Sequence, residues 1–237
     1  MSNLNKILLN KKICKSIWFM RQAGRYLPEF QKIRSKNQDF IKLCLDSELS
    51  SKITLQPIKR FDLDSAIIFS DILMVPYALG QDVKFTKGLG PQLGDFDLNV
   101  FLKNKKNNFS TKLSPIYKAI DITRRKLLKS KSLISFIGAP WTLIVYMFKV
   151  KESKEKINLQ KFHDNKNLLD QIIETLISFL CTHIKNQINA GADVIQIFDS
   201  WAGLIPKENL YDYCYKPNAK ISNFCRKQKI PVICFPR

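Results

Sequence analysis

A chain of 237 residues, 45% hydrophobic and 25% charged, has the balance of an ordinary globular domain and the length for one sizeable core. Its 39 basic against 20 acidic residues leave a formal charge of +19, which suits an anionic partner: a nucleic acid, an acidic membrane or a polyanionic small molecule. Lysine-rich stretches such as "LKNKKNN" (102–108) and "KVKESKEK" (149–156) also read as solvated loops, and no P-loop, zinc-finger spacing or RRM-like motif supports nucleic-acid binding. Six cysteines without a CxxC pair, with only His163 and His183 as nitrogen partners, argue against a zinc centre or a disulfide framework and for reduced thiols. The first residues are broken by lysines and lack a secretory apolar core, and no run reaches about 18 apolar residues. A soluble, cytoplasmic protein with no membrane partner is expected.

In chain order, "SIWFM" (16–20), "SAIIF" (65–69), "LISFI" (133–137), "DVIQIF" (193–198) and "PVICF" (231–235) are short, nearly continuous apolar runs. Such runs suit parallel strands buried on both faces. Helical patterns lie between them: 47–61, 114–130, and 167–191, where Leu169, Ile172, Ile173, Leu176, Ile177, Leu180, Ile184 and Ile188 share one face. Gly191 is placed for a left-handed cap, and a further helix over 209–228 is expected to kink or break at Pro217. Strand-helix repetition indicates an α/β fold, either a doubly wound sheet or a (β/α)8 TIM-type barrel. The absence of GxGxxG removes the main argument for a dinucleotide fold and favours the barrel. About five of its eight strands are present, so residues 1–237 read as one barrel domain, incomplete at the C-terminal end.

Both architectures put their chemistry at the C-terminal ends of strands, where polar residues follow several of these runs. Arg21 and Arg25 flank Gln22, Ala23 and Gly24; Gly24 permits positive φ and close approach, and two guanidinium forks suit carboxylates. Two arginines four apart equally suit a solvated helical face. Asp71 follows "AIIFS" and fits a helix N-cap, a salt bridge, or a carboxylate that offsets developing positive charge. In "GAPWTLIVYMF" (138–148), Trp141 and Tyr146 suit the wall of a flat aromatic ligand or a plain core. "FDSWAG" (198–203) supplies Asp199 and Ser200, for which capping is the default. Neither histidine receives a catalytic role, and no nucleophile pairing is evident.

Taken together, "MRQAGRYLPEF", "ITLQPIKRFDLDSAIIFSDIL", "GAPWTLIVYM" and "FDSWAG" resemble the uroporphyrinogen decarboxylase family, in its order, from about Ile17 to the last residue. The resemblance implies a (β/α)8 barrel, a homodimer and a carboxy-lyase that removes carbon dioxide from the four acetates of uroporphyrinogen III, giving coproporphyrinogen III, without metal or cofactor. It also implies that Arg21 and Arg25 hold substrate carboxylates, one of them taking part in proton delivery. Asp71 would face the pyrrole N–H groups, Tyr146 and Ser200 would bond peripheral carboxylates, and Gln22, Ala23 and Gly24 would shape the loop. Two departures stand out. "FKVKESKEK" (148–156) replaces a glycine-rich acidic turn, and the family's last three strands and a late substrate-contacting histidine have no counterpart before Arg237. The alternatives are an inactive tetrapyrrole-binding fragment and a corrinoid-linked methyltransferase of the same superfamily, which would need a zinc-bound thiolate.

Overall fold

The computed structural model describes residues 2–9, 14–24, 26–86, 90–150 and 166–237. Strands β1 (Ser65–Ile67), β4 (Ser132–Gly138), β5 (Val194–Asp199) and β6 (Val232–Pro236) form a parallel sheet in the order β1-β4-β5-β6. Ile67 lies beside Ile134, Ile134 beside Val194, and Gln196 beside Ile233, so four of the expected runs sit in register. Successive side chains alternate between the faces. Leu133, Ile137, Ile195 and Ile197 enter the large core beneath the helices, whereas Ile67, Ile134 and Val194 turn to the opposite face and pack with Leu4.

The first expected strand is corrected. Residues 16–20 join no sheet, Met20 already lying in a turn: Ile17 exchanges one pair of bonds with Asp64 (N–H to Oδ2 at 2.7 Å, and Asp64 N–H to the Ile17 carbonyl at 2.9 Å). Ile17 and Phe19 are each 60% exposed, so this apolar run lacks the two-sided burial that the reading presumed. A hairpin of β2 (Val83–Thr86) and β3 (Gly90–Leu93), antiparallel, was not anticipated; only Val83 and Leu93 of its residues are buried.

The helices follow their patterns closely. Ser47–Arg60 starts at Asp46, whose Oδ1 accepts the Leu49 N–H (2.9 Å). Lys106–Lys126 begins eight residues before the expected start and tolerates Pro115 because the Ser114 hydroxyl donates to the Thr111 carbonyl (2.8 Å) that the proline leaves without a donor. In Lys166–Asn189, Leu169, Ile172, Leu176, Leu180 and Ile184 are fully buried. Gly191 closes that helix at φ 106°, and a Cβ there would stand 2.8 Å from Arg124. The last expected helix does not break at Pro217 but changes winding just before it, a π-helical turn Tyr211–Tyr215 running directly into the α-helix Lys216–Lys227, whose first turn holds the proline.

His183 is buried in the long helix between Phe109 and Tyr117. Its Nδ1 pairs with the Tyr117 hydroxyl (2.9 Å) and its Nε2 with the Gln187 amide (2.6 Å), while burial pushes its pKa down to about 3. The imidazole is therefore neutral, and unfolding lets it take up a proton below pH 6.5. Its contribution to stability is present above pH 6.5 and lost as pH falls toward 3, amounting to about 2 kcal/mol at pH 5. In denaturant unfolding at pH 7.5 and pH 5, His183→Gln should remove most of that acid loss; an unchanged pH dependence would count against this assignment.

Candidate active site

The parallel register brings the C-terminal ends of the sheet strands to one edge. Beyond β1, the chain is clasped by the helix Ser47–Arg60: the Phe69 N–H donates to the Thr54 hydroxyl (2.9 Å) and its carbonyl accepts from Ser50 (2.6 Å). Two residues later Asp71 turns the chain, its Oδ1 accepting the Leu73 N–H (2.9 Å) and its carbonyl the Met74 N–H (3.2 Å). The helix that follows, Met74–Ala78, is capped at Leu73, so Asp71 makes a side-chain turn rather than a helix N-cap. The residue is half-buried and its carboxyl is packed about by protein. Burial pushes its pKa up to about 6, against the opposing pull of the Leu73 N–H and Arg21. Its Oδ2 has no hydrogen-bond partner among the described residues.

Arg21 and Tyr146 lie near enough for their charges and this carboxyl to act on one another. Arg21 is exposed and lies in a turn, not on a helix, so the solvated-helix alternative does not hold for it; Arg25 lies outside the described residues. Tyr146, half-buried near the end of the helix Pro140–Met147, has its phenol pushed above the usual range by burial and Asp71, with Trp201 and Arg21 pulling down. Its ring stands edge-on to Trp201 at 6.0 Å. Ser200 follows β5 directly and is half-buried on the same edge.

The loop after Arg21 is tied to itself. Gln22 is buried; its Oε1 accepts the Phe19 N–H (3.0 Å), its carbonyl accepts from the Tyr26 hydroxyl, and its Nε2 has no partner among the described residues. Ala23 packs toward the cluster of Leu27, Phe30, Ile33, Leu43 and Ile53. Gly24 does not use the positive φ that glycine permits. A Cβ there would stand 3.2 Å from the exposed Tyr26 ring, a tight contact that the ring would have to yield to. Of the altered loop, residues 151–156 lie outside the described residues, as does His163.

Burial decides between the two alternatives for Trp141 and overturns the capping expectation for Asp199. Trp141 is fully buried, stacked on Tyr213 at 5.3 Å and 4°, and donates its indole N–H to the Trp201 carbonyl (3.2 Å). It belongs to the core. Asp199 is 1% exposed, with Oδ1 accepting from the Thr142 hydroxyl (2.8 Å) and Oδ2 from the Asn218 amide (2.9 Å). Burial raises its pKa, and those two donors lower it. Ser50, Thr54, Thr142 and Asn218 gave no sequence signal, because each acts on a residue distant in the chain. Two cavities of about 50 and 200 Å³ lie elsewhere, by the hairpin and beside Asp212. No group of three or more potential metal ligands occurs among the described residues.

A parallel α/β sheet with a carboxyl, an arginine and a phenol gathered near its strand ends defines an α/β fold whose candidate site lies where such folds place their ligands. A structural match with a methyltransferase from Methanosarcina mazei (TM-score 0.72, 16% identity, 98% of this chain and 67% of that one) agrees on the fold. The chain belongs to the uroporphyrinogen decarboxylase family, whose sequence model matches residues 11–237. It is similar to the uroporphyrinogen decarboxylases of Orientia tsutsugamushi (strain Ikeda; 44% identity over 225 residues) and Campylobacter jejuni (strain ATCC 700819; 42% over 226 residues). Each match covers 93% of this chain but only 65% and 66% of those proteins, so the chain spans just under two thirds of their length.

Proposed function

We propose that the chain acts in tetrapyrrole biosynthesis as a carboxy-lyase that removes carbon dioxide from the acetate side chains of uroporphyrinogen III to give coproporphyrinogen III. The observation that carries this reading is the poorly solvated Asp71 carboxyl at the strand ends, beside Arg21 and Tyr146. Protonation of a pyrrole carbon makes the ring cationic, and the ring then accepts the electron pair released as the carboxylate leaves as carbon dioxide. A carboxylate held away from water gains most from a positive charge forming beside it. The burial that raises the pKa of Asp71 thus strengthens its hold on that transition state. Arg21, with Arg25, anchors peripheral carboxylates; Tyr146 and Ser200 donate to others; and Gln22, Ala23 and Gly24 set the loop. The architecture that accompanies this reading is a single (β/α)8 barrel domain, a homodimer and a cytoplasmic site of action.

Binding of uroporphyrin, the fluorescent oxidised form of the substrate ring, tests the assignment of Arg21. Arg21→Ala should weaken it about tenfold, the scale of one charge-assisted contact. Diffuse attraction to a +19 chain would barely register the loss of one cation among 39. An unchanged affinity in the variant would therefore remove the proposed carboxylate anchor.

A further inference from the structure

Behind the strand-end site, three elements are locked by one buried carboxyl. Asp199, the last residue of β5, accepts from Thr142 on the helix that carries Tyr146 and from Asn218 on the helix Lys216–Lys227. The same Thr142 oxygen accepts the Trp201 N–H (3.3 Å), and the Trp141 indole donates to the Trp201 carbonyl (3.2 Å). Both backbone groups of Trp201 are therefore held by the Pro140–Met147 helix, and the Trp201 ring stands against Tyr146 at 6.0 Å. Ser200 lies between the two clasped residues. A hydroxyl that donates to one buried group and accepts from another has its position fixed twice.

We infer that Asp199 and Thr142 are positioning residues, a clasp that sets Tyr146 and Ser200 at a fixed separation for the tetrapyrrole. The inference rests on the function proposed above. Neither side chain faces the ligand: both are buried, and they act through Trp201 and the helix. The clasp works by hydrogen bonding rather than by charge. Asp199→Asn keeps an acceptor toward Thr142, and Asn218, whose Oδ1 has no hydrogen-bond partner among the described residues, can turn its amide to accept from the new NH2.

The test uses the whole chain labelled with 5-fluorotryptophan, the Trp201 resonance being assigned by its loss in Trp201→Phe. Thr142→Val, equal in shape but without the hydroxyl, should move that fluorine resonance and weaken uroporphyrin binding about tenfold; Thr142→Ser and Asp199→Asn should keep both within about twofold. A resonance and an affinity both unmoved in Thr142→Val would overturn the clasp. So would a moved resonance with unchanged affinity, since the contact would then serve the fold alone. A tenfold loss in Asp199→Asn would assign the effect to charge and overturn it as well. Should Thr142→Val fail to fold, Asn218→Leu replaces it, with the same shift and loss expected and their absence equally decisive. If the unaltered chain binds no uroporphyrin, the proposed function fails, whereas an unmoved fluorine resonance in Thr142→Val separately overturns the clasp.

Discussion

Asp71→Asn is expected to reduce decarboxylation by about a hundredfold or more, the scale of removing a group that stabilises transition-state charge, while making the fold more stable above pH 6. The two effects have one cause. The carboxyl titrates at about 6 in the folded protein against an ordinary 3.8, chiefly because it is desolvated. A raised carboxyl pKa contributes stability that is fully present below pH 3.8 and is lost as pH rises through 6. At pH 8 the ionised Asp71 therefore costs the native state about 1–3 kcal/mol, the lower figure applying where solvent screens it. The asparagine keeps an oxygen for the Leu73 N–H and removes the charge. Denaturant unfolding should find the variant more stable than the unaltered chain at pH 8, with that gain shrinking toward pH 4. A variant that gained nothing at pH 8, or retained near-normal turnover, would remove the role assigned to Asp71.

The second large effect concerns the fold behind the site. Trp141→Ala should destabilise the chain by about 3–5 kcal/mol, the range for emptying a buried aromatic site. Trp141 is among the largest fully buried side chains, stacked on Tyr213 and bonded to the Trp201 carbonyl. Trp141→Phe keeps most of the stacking surface and takes only the indole donor from that carbonyl, which still accepts the Leu204 N–H (3.2 Å), so it should cost well under the alanine variant. Unfolding curves separate the two. A Trp141→Ala cost below about 1 kcal/mol would mean that this ring does not bind the two helices together.

These effects show what the sequence carries and what it leaves out. The runs at 65–69, 133–137, 193–198 and 231–235 were legible because strands buried on both faces are apolar at nearly every position, and helices between them fix their parallel sense. The run at 16–20 has the same composition but pairs its Ile17 backbone with Asp64 rather than with a strand, a fact about tertiary pairing that periodicity does not record. The hairpin was hidden because glycine and proline interrupt its alternation and only two of its residues are buried.

At the site, Asp71 was legible as a polar residue ending an apolar run, but the hydroxyls of Ser50 and Thr54 that place it come from the preceding helix. Trp141 and Tyr146 look alike in composition, yet five residues along a helix separate them by roughly 140°, and only Tyr146 turns to the strand ends. Read on its helix, that spacing distinguishes the two. Asp199 looked like a cap because its partners lie 57 and 19 residues away.

The most direct test of the account is anaerobic incubation of the chain with reduced uroporphyrinogen III, followed by mass analysis of the porphyrins after oxidation. The expected result is stepwise loss of carbon dioxide to the four-carboxylate product, abolished by Asp71→Asn and unaffected by chelators. Recovery of the eight-carboxylate ring unchanged, from a folded chain that binds uroporphyrin, would contradict it.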